Sequence, residues 1–299
     1  MITVYLDHNI VRYVLRGWPE TYAADDEEAA LTILRTNPDR VRVTFSLSNL
    51  LEASREGHRN AKAYAELMES FSPMWMLQLF NIQQEELRRF IFAEFLQHRF
   101  TTEFEPIKEH LAQVLYELEP SASVPIGEGP LWFIRHFATN SESAATIRRG
   151  EEKIRAALIG LQAARKDGKL TPAIERDTVT AVLRGLFPPR RPDGKPFSAL
   201  ERADITKQCL EQIDKLRACA PTIDAEFILA EYRTSNVDRR PQIQDASDLM
   251  HISVAVSRCG AFVTNDGYLR KQAYKYAWSR RPGLVVARGL HDAVLALKL

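Results

Sequence analysis

MITVYLDHN, residues 1–9, is a short β-branched and aromatic run that Asp7, His8 and Asn9 bring to a stop. A run of this kind reads as a buried strand, and Asp7 leaves it at its carboxyl end. The pattern then repeats. Asp25 to Leu34 opens on Asp25, Asp26, Glu27 and Glu28 and turns apolar at helical spacing, as a helix does when acids face the positive end of its dipole. VRVTFS (41–46) alternates and passes into SNLLEASREGHRNAKAYAELMESF (48–71), which reads as one long amphipathic helix. MWMLQLF (74–80) is a third strand candidate, with IQQEELRRFIFAEFLQ (82–97) as the helix behind it.

The other end of the chain returns to the same grammar. A helix is expected from about Asp245 to Arg258, then the strand AFVTN (261–265), a helix from Tyr268, the strand GLVVA (283–287) and a last helix HDAVLALKL. Strands alternating with helices imply a parallel sheet covered by helices. Between the two blocks, KEHLAQVLYELEP, EEKIRAALIGLQAARK, TVTAVLRGL, ERADITKQCLEQIDKLRA and APTIDAEFILAEY all repeat at helical spacing, and no strand is expected. PSASVPIGEGP (120–130) and FPPRRPDGKP (187–196) read as exposed connections. The expectation is an α/β fold with an all-helical insertion: residues 1–98 and 241–299 forming one domain, residues 99–240 inserted in it. No internal repeat is evident.

Composition sets few limits. A net charge of +1 confines any basic surface to a local patch. Cys209, Cys219 and Cys259 are widely spaced, without a CxxC pair, and read as reduced core thiols of a cytoplasmic protein. Asp7 and His8 interrupt the first apolar run, and no segment approaches about 18 apolar residues, so neither a secretory leader nor a membrane span is expected.

The acids carry the chemistry. In a parallel α/β sheet, ligands bind outside the carboxyl ends of the strands. Asp7 and Asp266 each leave a strand at that end, while Glu52 and Asp248 sit early in helices. Four carboxylates within about 5 Å would repel by roughly 3 kcal/mol per pair at an effective dielectric of about 20. Such a cluster calls for cations. Oxygen ligation without Cys or His selects hard ions, Mg²⁺ or Mn²⁺, and such ions activate water for phosphodiester displacement. Helix capping offers another account, because Asn49 with Glu52 and Asp245 with Asp248 are both spaced as capping boxes. Asp266 followed by Gly267 is also a turn signal.

LDHN, SLSNLLE, DLMHISVAV and FVTND, in that order, resemble the four signatures of the PIN domain, a nuclease fold; the likeness covers residues 1–98 and 241–299. The resemblance implies Asp7, Glu52, Asp248 and Asp266 as catalytic metal ligands for Mg²⁺ or Mn²⁺. It implies a ribonuclease acting on single-stranded RNA, in some members a toxin held by an antitoxin or regulatory protein, and often a homodimer. The helical segment departs from the short toxin members, leaving open a silent PIN-like module that binds RNA or a protein partner through the insertion. A phosphatase of the haloacid dehalogenase type would need a second aspartate where Asn9 stands.

Secondary candidates surround the quartet. Asp245 lies one turn before Asp248 and is a candidate for an outer ion, a water or a helix cap. Asn9 is placed to hold Asp7, and Thr264 and Asn265 to orient Asp266 or a phosphate. His251 reads as a packing residue. Arg270, Lys271, Lys275, Arg280 and Arg281, interleaved with Tyr268, Tyr274, Tyr276 and Trp278, form a candidate RNA-binding segment or a solvated helix face. Arg239 with Arg240, and Arg190, Arg191 and Lys195, read as linkers.

Overall fold

Val4, Tyr5 and Leu6 are wholly buried, and three consecutive buried residues in a strand mean that both of its faces are covered. The computed structural model describes residues 1–56, 58–118, 129–139 and 141–299. The first block runs β1 (Ile2–Leu6), α1 (His8–Arg16), α2 (Ala24–Thr36), β2 (Val41–Ser46), α3 (Leu47–Arg55), α4 (His58–Glu69), β3 (Met74–Met76) and α5 (Leu79–Phe95). There follow β4 (Ile107–Lys108), α6 (Leu111–Leu118), α7 (Pro130–Thr139), α8 (Ser141–Lys166), α9 (Pro172–Leu186), α10 (Ala199–Glu211), α11 (Ile213–Cys219) and α12 (Pro221–Ser235). The chain closes with α13 (Ile243–Arg258), β5 (Ala261–Val263), α14 (Gly267–Arg280), β6 (Val285–Ala287) and α15 (Leu290–Leu297).

The six strands form one sheet in the order β4-β3-β2-β1-β5-β6. All pairs are parallel except β3 with β4, and Val4 stands opposite both Val43 and Ala261. The fold is therefore α/β, a mostly parallel sheet flanked by helices. From β1 the chain steps to β2, β3 and β4 on one side, then returns to place β5 and β6 on the other. The strand order thus reverses at β1, and the crevice beyond its carboxyl end is where such a sheet takes ligands.

Several expected boundaries move. The long helix after β2 divides into α3 and α4; α3 ends at Arg55 with Glu56 as its C-cap, just before Gly57, a helix-stop residue in the sequence. The third strand stops at Met76, because Gln78 already caps α5. A strand does occur between residues 99 and 240: β4 pairs antiparallel with β3, and Arg190 bridges Pro196. Two residues carry no alternation to read, which is why the pattern missed β4. Residues 120–128 of the PSASVPIGEGP connection lie outside the described residues. Cys209 and Cys259 are buried but Cys219 is exposed, so it is not a core thiol. No described helix is long and apolar enough to cross a membrane.

Two apolar cores result. The larger joins the sheet to α1–α4, α13 and α14. In the smaller, Leu87, Phe90 and Ile91 of α5 pack with Leu183 of α9, Ile205 of α10 and Ile223 of α12.

Candidate functional site

Asp7 and Asp266 are both helix N-caps set at strand ends. Asp7 Oδ1 accepts from the N–H of His8 at 2.8 Å, starting α1. Asp266 Oδ1 accepts from the N–H groups of Tyr268 and Leu269 at 2.7 and 2.9 Å, starting α14. Thr264 ties the two together: its hydroxyl donates to Asp7 Oδ2 at 2.6 Å and accepts from the N–H of Asp266 at 3.1 Å. Thr264 is fully buried, so this bridge is shielded from competing water. Asn9 adds a longer bond to Asp7 Oδ2, 3.4 Å.

Glu52 and Asp248 do not cap their helices. At the start of α3 the side chain that accepts from the N-cap N–H is Asn49, bonded to Ser46 at 2.8 Å, and at the start of α13 it is Asp245, bonded to Gln242 at 2.6 Å. The capping boxes are thus Ser46/Asn49 and Gln242/Asp245. Glu52 and Asp248 stand one turn further on, on the same helix faces as those caps. Asn49 also donates to the carbonyl of Leu6 at 3.0 Å, fastening α3 over the end of β1.

All four carboxylates line one cleft of about 440 Å³, together with His8, Asn9, Arg12, Arg55, Glu56, Gln244 and Ser247. Their charges oppose one another. Burial first, then the neighbouring Asp7 and Asp248 charges, hold the Glu52 carboxyl well above the usual range. Burial lifts Asp248 to about 7, with Arg233 pulling it down and Asp7 and Asp266 pushing it up. Asp7 is raised by burial, against the bonds from Thr264 and His8. Glu52 is flanked by two neutral imidazoles, His8 Nδ1 at 3.8 Å and His251 Nε2 at 3.6 Å. Burial lowers His8 to about 4 and His251 to about 3.

Other expected site residues lie elsewhere. Asp245 is buried and spent on Arg233 Nη1 at 2.6 Å, Arg239 Nη1 at 2.7 Å and the backbone of Gln242. Asn265 is held between Tyr13 and Tyr22, at 2.7 Å from each hydroxyl. Arg280 pairs with Asp224 and Arg281 donates to the carbonyls of Val256 and Cys259. Arg270 reaches back to the carbonyls of Thr264 and Asn265, beside the cleft. Lys271 is exposed, and Lys275 lies 5.2 Å from the Tyr232 ring centre. Tyr276 is buried, whereas Tyr274 and Trp278 are exposed.

Comparison with known proteins finds no family model that matches the chain, no curated protein similar to it and no solved structure that matches it. The site therefore rests on its own geometry.

Sequence reasoning passed over three of its parts. His8 was visible beside Asp7, and both of its ring nitrogens are buried without a hydrogen bond. Glu56, one turn after Glu52, pairs with Arg16 and lies 3.7 Å from His8 Nε2 and from Arg12 Nη1. Arg233 is buried, bonds Asp245 and Gln272, and places Nη2 3.9 Å from Asp248 Oδ2. Nothing local in the sequence marks Arg233, which lies in α12 far from the motifs.

The donor set suits a hard divalent cation: four carboxylates, all oxygen, in a water-accessible cleft. As the side chains stand, no group of three or more His, Cys, Asp or Glu among the described residues is placed to hold one. Chemistry and spacing thus point different ways. The side chains of Glu52 and Asp248 are 22% and 28% exposed.

Proposed function

We propose that this chain is a PIN-like nuclease that hydrolyses phosphodiester bonds in single-stranded RNA with Mg²⁺ or Mn²⁺, its helical segment inserted between the two halves of the nuclease domain. The observation that carries the reading is the convergence of Asp7, Glu52, Asp248 and Asp266 on one cleft at the strand-order reversal. Asp7 and Asp266 are also helix N-caps, but Glu52 and Asp248 have no capping role, and local structure does not account for their meeting the other two.

Asp7, Glu52, Asp248 and Asp266 are the residues that would hold the metal. When bound, a divalent ion would lower the pKa of a coordinated water and neutralise charge building on the phosphate. The chain supplies the rest. Thr264 and the two N-cap networks hold Asp7 and Asp266 in place, and Arg233 favours the ionised form of Asp248. Arg12 and Arg55, each about half exposed at the rim, offer guanidinium groups to the phosphates flanking the cut. His8 and His251 stay neutral near pH 7 and add no charge.

A second reading is favoured by the absence of a ready ligand group among the described residues: a catalytically silent PIN-like module that binds RNA or a protein through its helical segment. Incubation of end-labelled single-stranded RNA with the purified protein in Mn²⁺, Mg²⁺ or EDTA, beside Asp248→Asn, separates the two. Cleavage that needs the ion and is lost in the variant supports the nuclease. A folded wild-type protein that neither cleaves nor binds Mn²⁺ supports the silent module. A homodimer, a cytoplasmic setting and control by an antitoxin-like protein remain companions of the nuclease reading.

A further inference from the structure

Beside the carboxylate cleft, about one turn away along α3 and α13, lies a second cavity of about 200 Å³. Its walls are apolar, with Leu51, Ile154, Met250 and Val254 among them. Two side-chain pairs stand between the two spaces: Glu52 with His251, 3.6 Å apart, and Arg55 with Glu151, bonded at 2.9 and 3.1 Å. Glu52 and Arg55 line the cleft, His251 and Glu151 the cavity. Ser48 lies one turn before Glu52, and His251 about one turn after Asp248, so the cavity begins about 5.4 Å along each helix from the acids.

The lining is not that of a packing void. Gln78 caps α5 through its backbone alone, and neither its amide nor the hydroxyl of Ser48 hydrogen-bonds among the described residues. At the same cavity the Phe80 ring is half exposed and so is open to a stacking partner. Apolar walls, polar groups turned to water and an exposed aromatic ring together describe a host for a planar guest with apolar faces and a polar edge. An aliphatic guest would leave the amide and the hydroxyl unpaired. At 200 Å³ the space is smaller than a site for a drug-sized ligand and suits one ring system.

We propose that this cavity receives one unstacked nucleobase of the RNA strand whose phosphodiester lies at the acids, with Phe80 stacking on it and Gln78 and Ser48 reading its edge. The inference rests on the RNA part of the function proposed above and adds a source of base preference. Single-stranded RNA is read in this way, by bases splayed from the stack onto aromatic side chains and hydrogen-bonded at their edges.

The test uses single-stranded RNA carrying 2-aminopurine at one position at a time, titrated with the full chain in Ca²⁺ and in EDTA. Its fluorescence rises when the base leaves its neighbours. The variants are Ile154→Trp, which fills the cavity; Gln78→Leu, which removes the edge contact; and Phe80→Ala, a surface change that spares the fold. Circular dichroism melts establish that each is folded. One position should brighten with wild type, lose the signal in Ile154→Trp and Phe80→Ala, and bind about tenfold more weakly in Gln78→Leu. Failure of every position to brighten, or brightening unchanged in the folded variants, overturns the inference. A parallel cleavage assay in Mn²⁺ keeps the two ideas apart. Cleavage without a base preference at a fixed offset, alike in all variants, leaves the nuclease standing and removes the base pocket. A variant-sensitive fluorescence signal without cleavage leaves the pocket and removes the nuclease.

Discussion

Thr264 Oγ lies 2.6 Å from Asp7 Oδ2 and also accepts from the N–H of Asp266, so one hydroxyl couples the acids at the ends of two adjacent parallel strands. Thr264→Val keeps the shape and removes both bonds. Asp7 is already raised by burial and would be raised further. The expected result is a loss of about 1 kcal/mol in urea unfolding and about tenfold weaker Mn²⁺ binding by calorimetry, as for a lost supporting bond to a metal ligand. Thr264→Ser should recover most of both.

Asp248→Asn should stabilise the metal-free protein at high pH. The folded Asp248 binds its proton up to about pH 7, against an ordinary carboxyl value of 3.8. Because the folded pKa is the higher one, the native state holds more protons than the unfolded state between those values. The stability Asp248 contributes is complete below about pH 3.8 and is lost as pH rises through about 7. Asn has no proton to lose. Melts in EDTA should show the variant equal to wild type near pH 4 and more stable by roughly 1–3 kcal/mol at pH 8. A variant less stable than wild type at pH 8 would rule out this electrostatic account.

Much of the sheet and the acidic quartet was legible because strand ends and helix starts leave local marks. Asp7 follows an apolar run and begins a helix, and Asp266 does the same 259 positions later. Glu52 and Asp248 were ambiguous in the sequence, since spacing alone fits a capping box one turn too late. Only the observed bonds of Asn49 and Asp245 assign the caps and free the other two. The role of Asn265 was not legible, because Tyr13 and Tyr22 reach it across 252 and 243 residues. Nor was β4, whose pairing with β3 is a tertiary choice that two residues cannot announce.

Mn²⁺ binding at the quartet should strengthen with pH up to about 7. Glu52 and Asp248 are both raised, so below that pH an ion must displace protons from its ligands. Calorimetry at pH 6 in buffers of different ionisation enthalpy should register proton release, and the same titration at pH 8 should register much less. Proton release that is the same at both values would place the ion elsewhere.

Arg233 should prove the costliest single charge to remove. It is buried, its Nη1 donates to the carbonyl and carboxylate of Asp245, and its Nε donates to Gln272. Arg233→Met leaves Asp245 buried with one guanidinium, that of Arg239, and should cost roughly 3 kcal/mol in urea unfolding, as expected when one partner of a buried pair is deleted. Arg239 is more than a third exposed at its side chain, and Arg239→Ala should cost about 1 kcal/mol or less. The two variants also differ at the cleft. Arg233 Nη2 is 3.9 Å from Asp248 and is the main group drawing its proton affinity down. Arg233→Met should therefore move the pH at which Mn²⁺ binding is half complete upward. Arg239→Ala, which makes its hydrogen bonds to Asp245 and none to Asp248, should move it less. Equal midpoints in the two variants would mean that Arg233 serves the helix pair alone and leaves Asp248 unaffected.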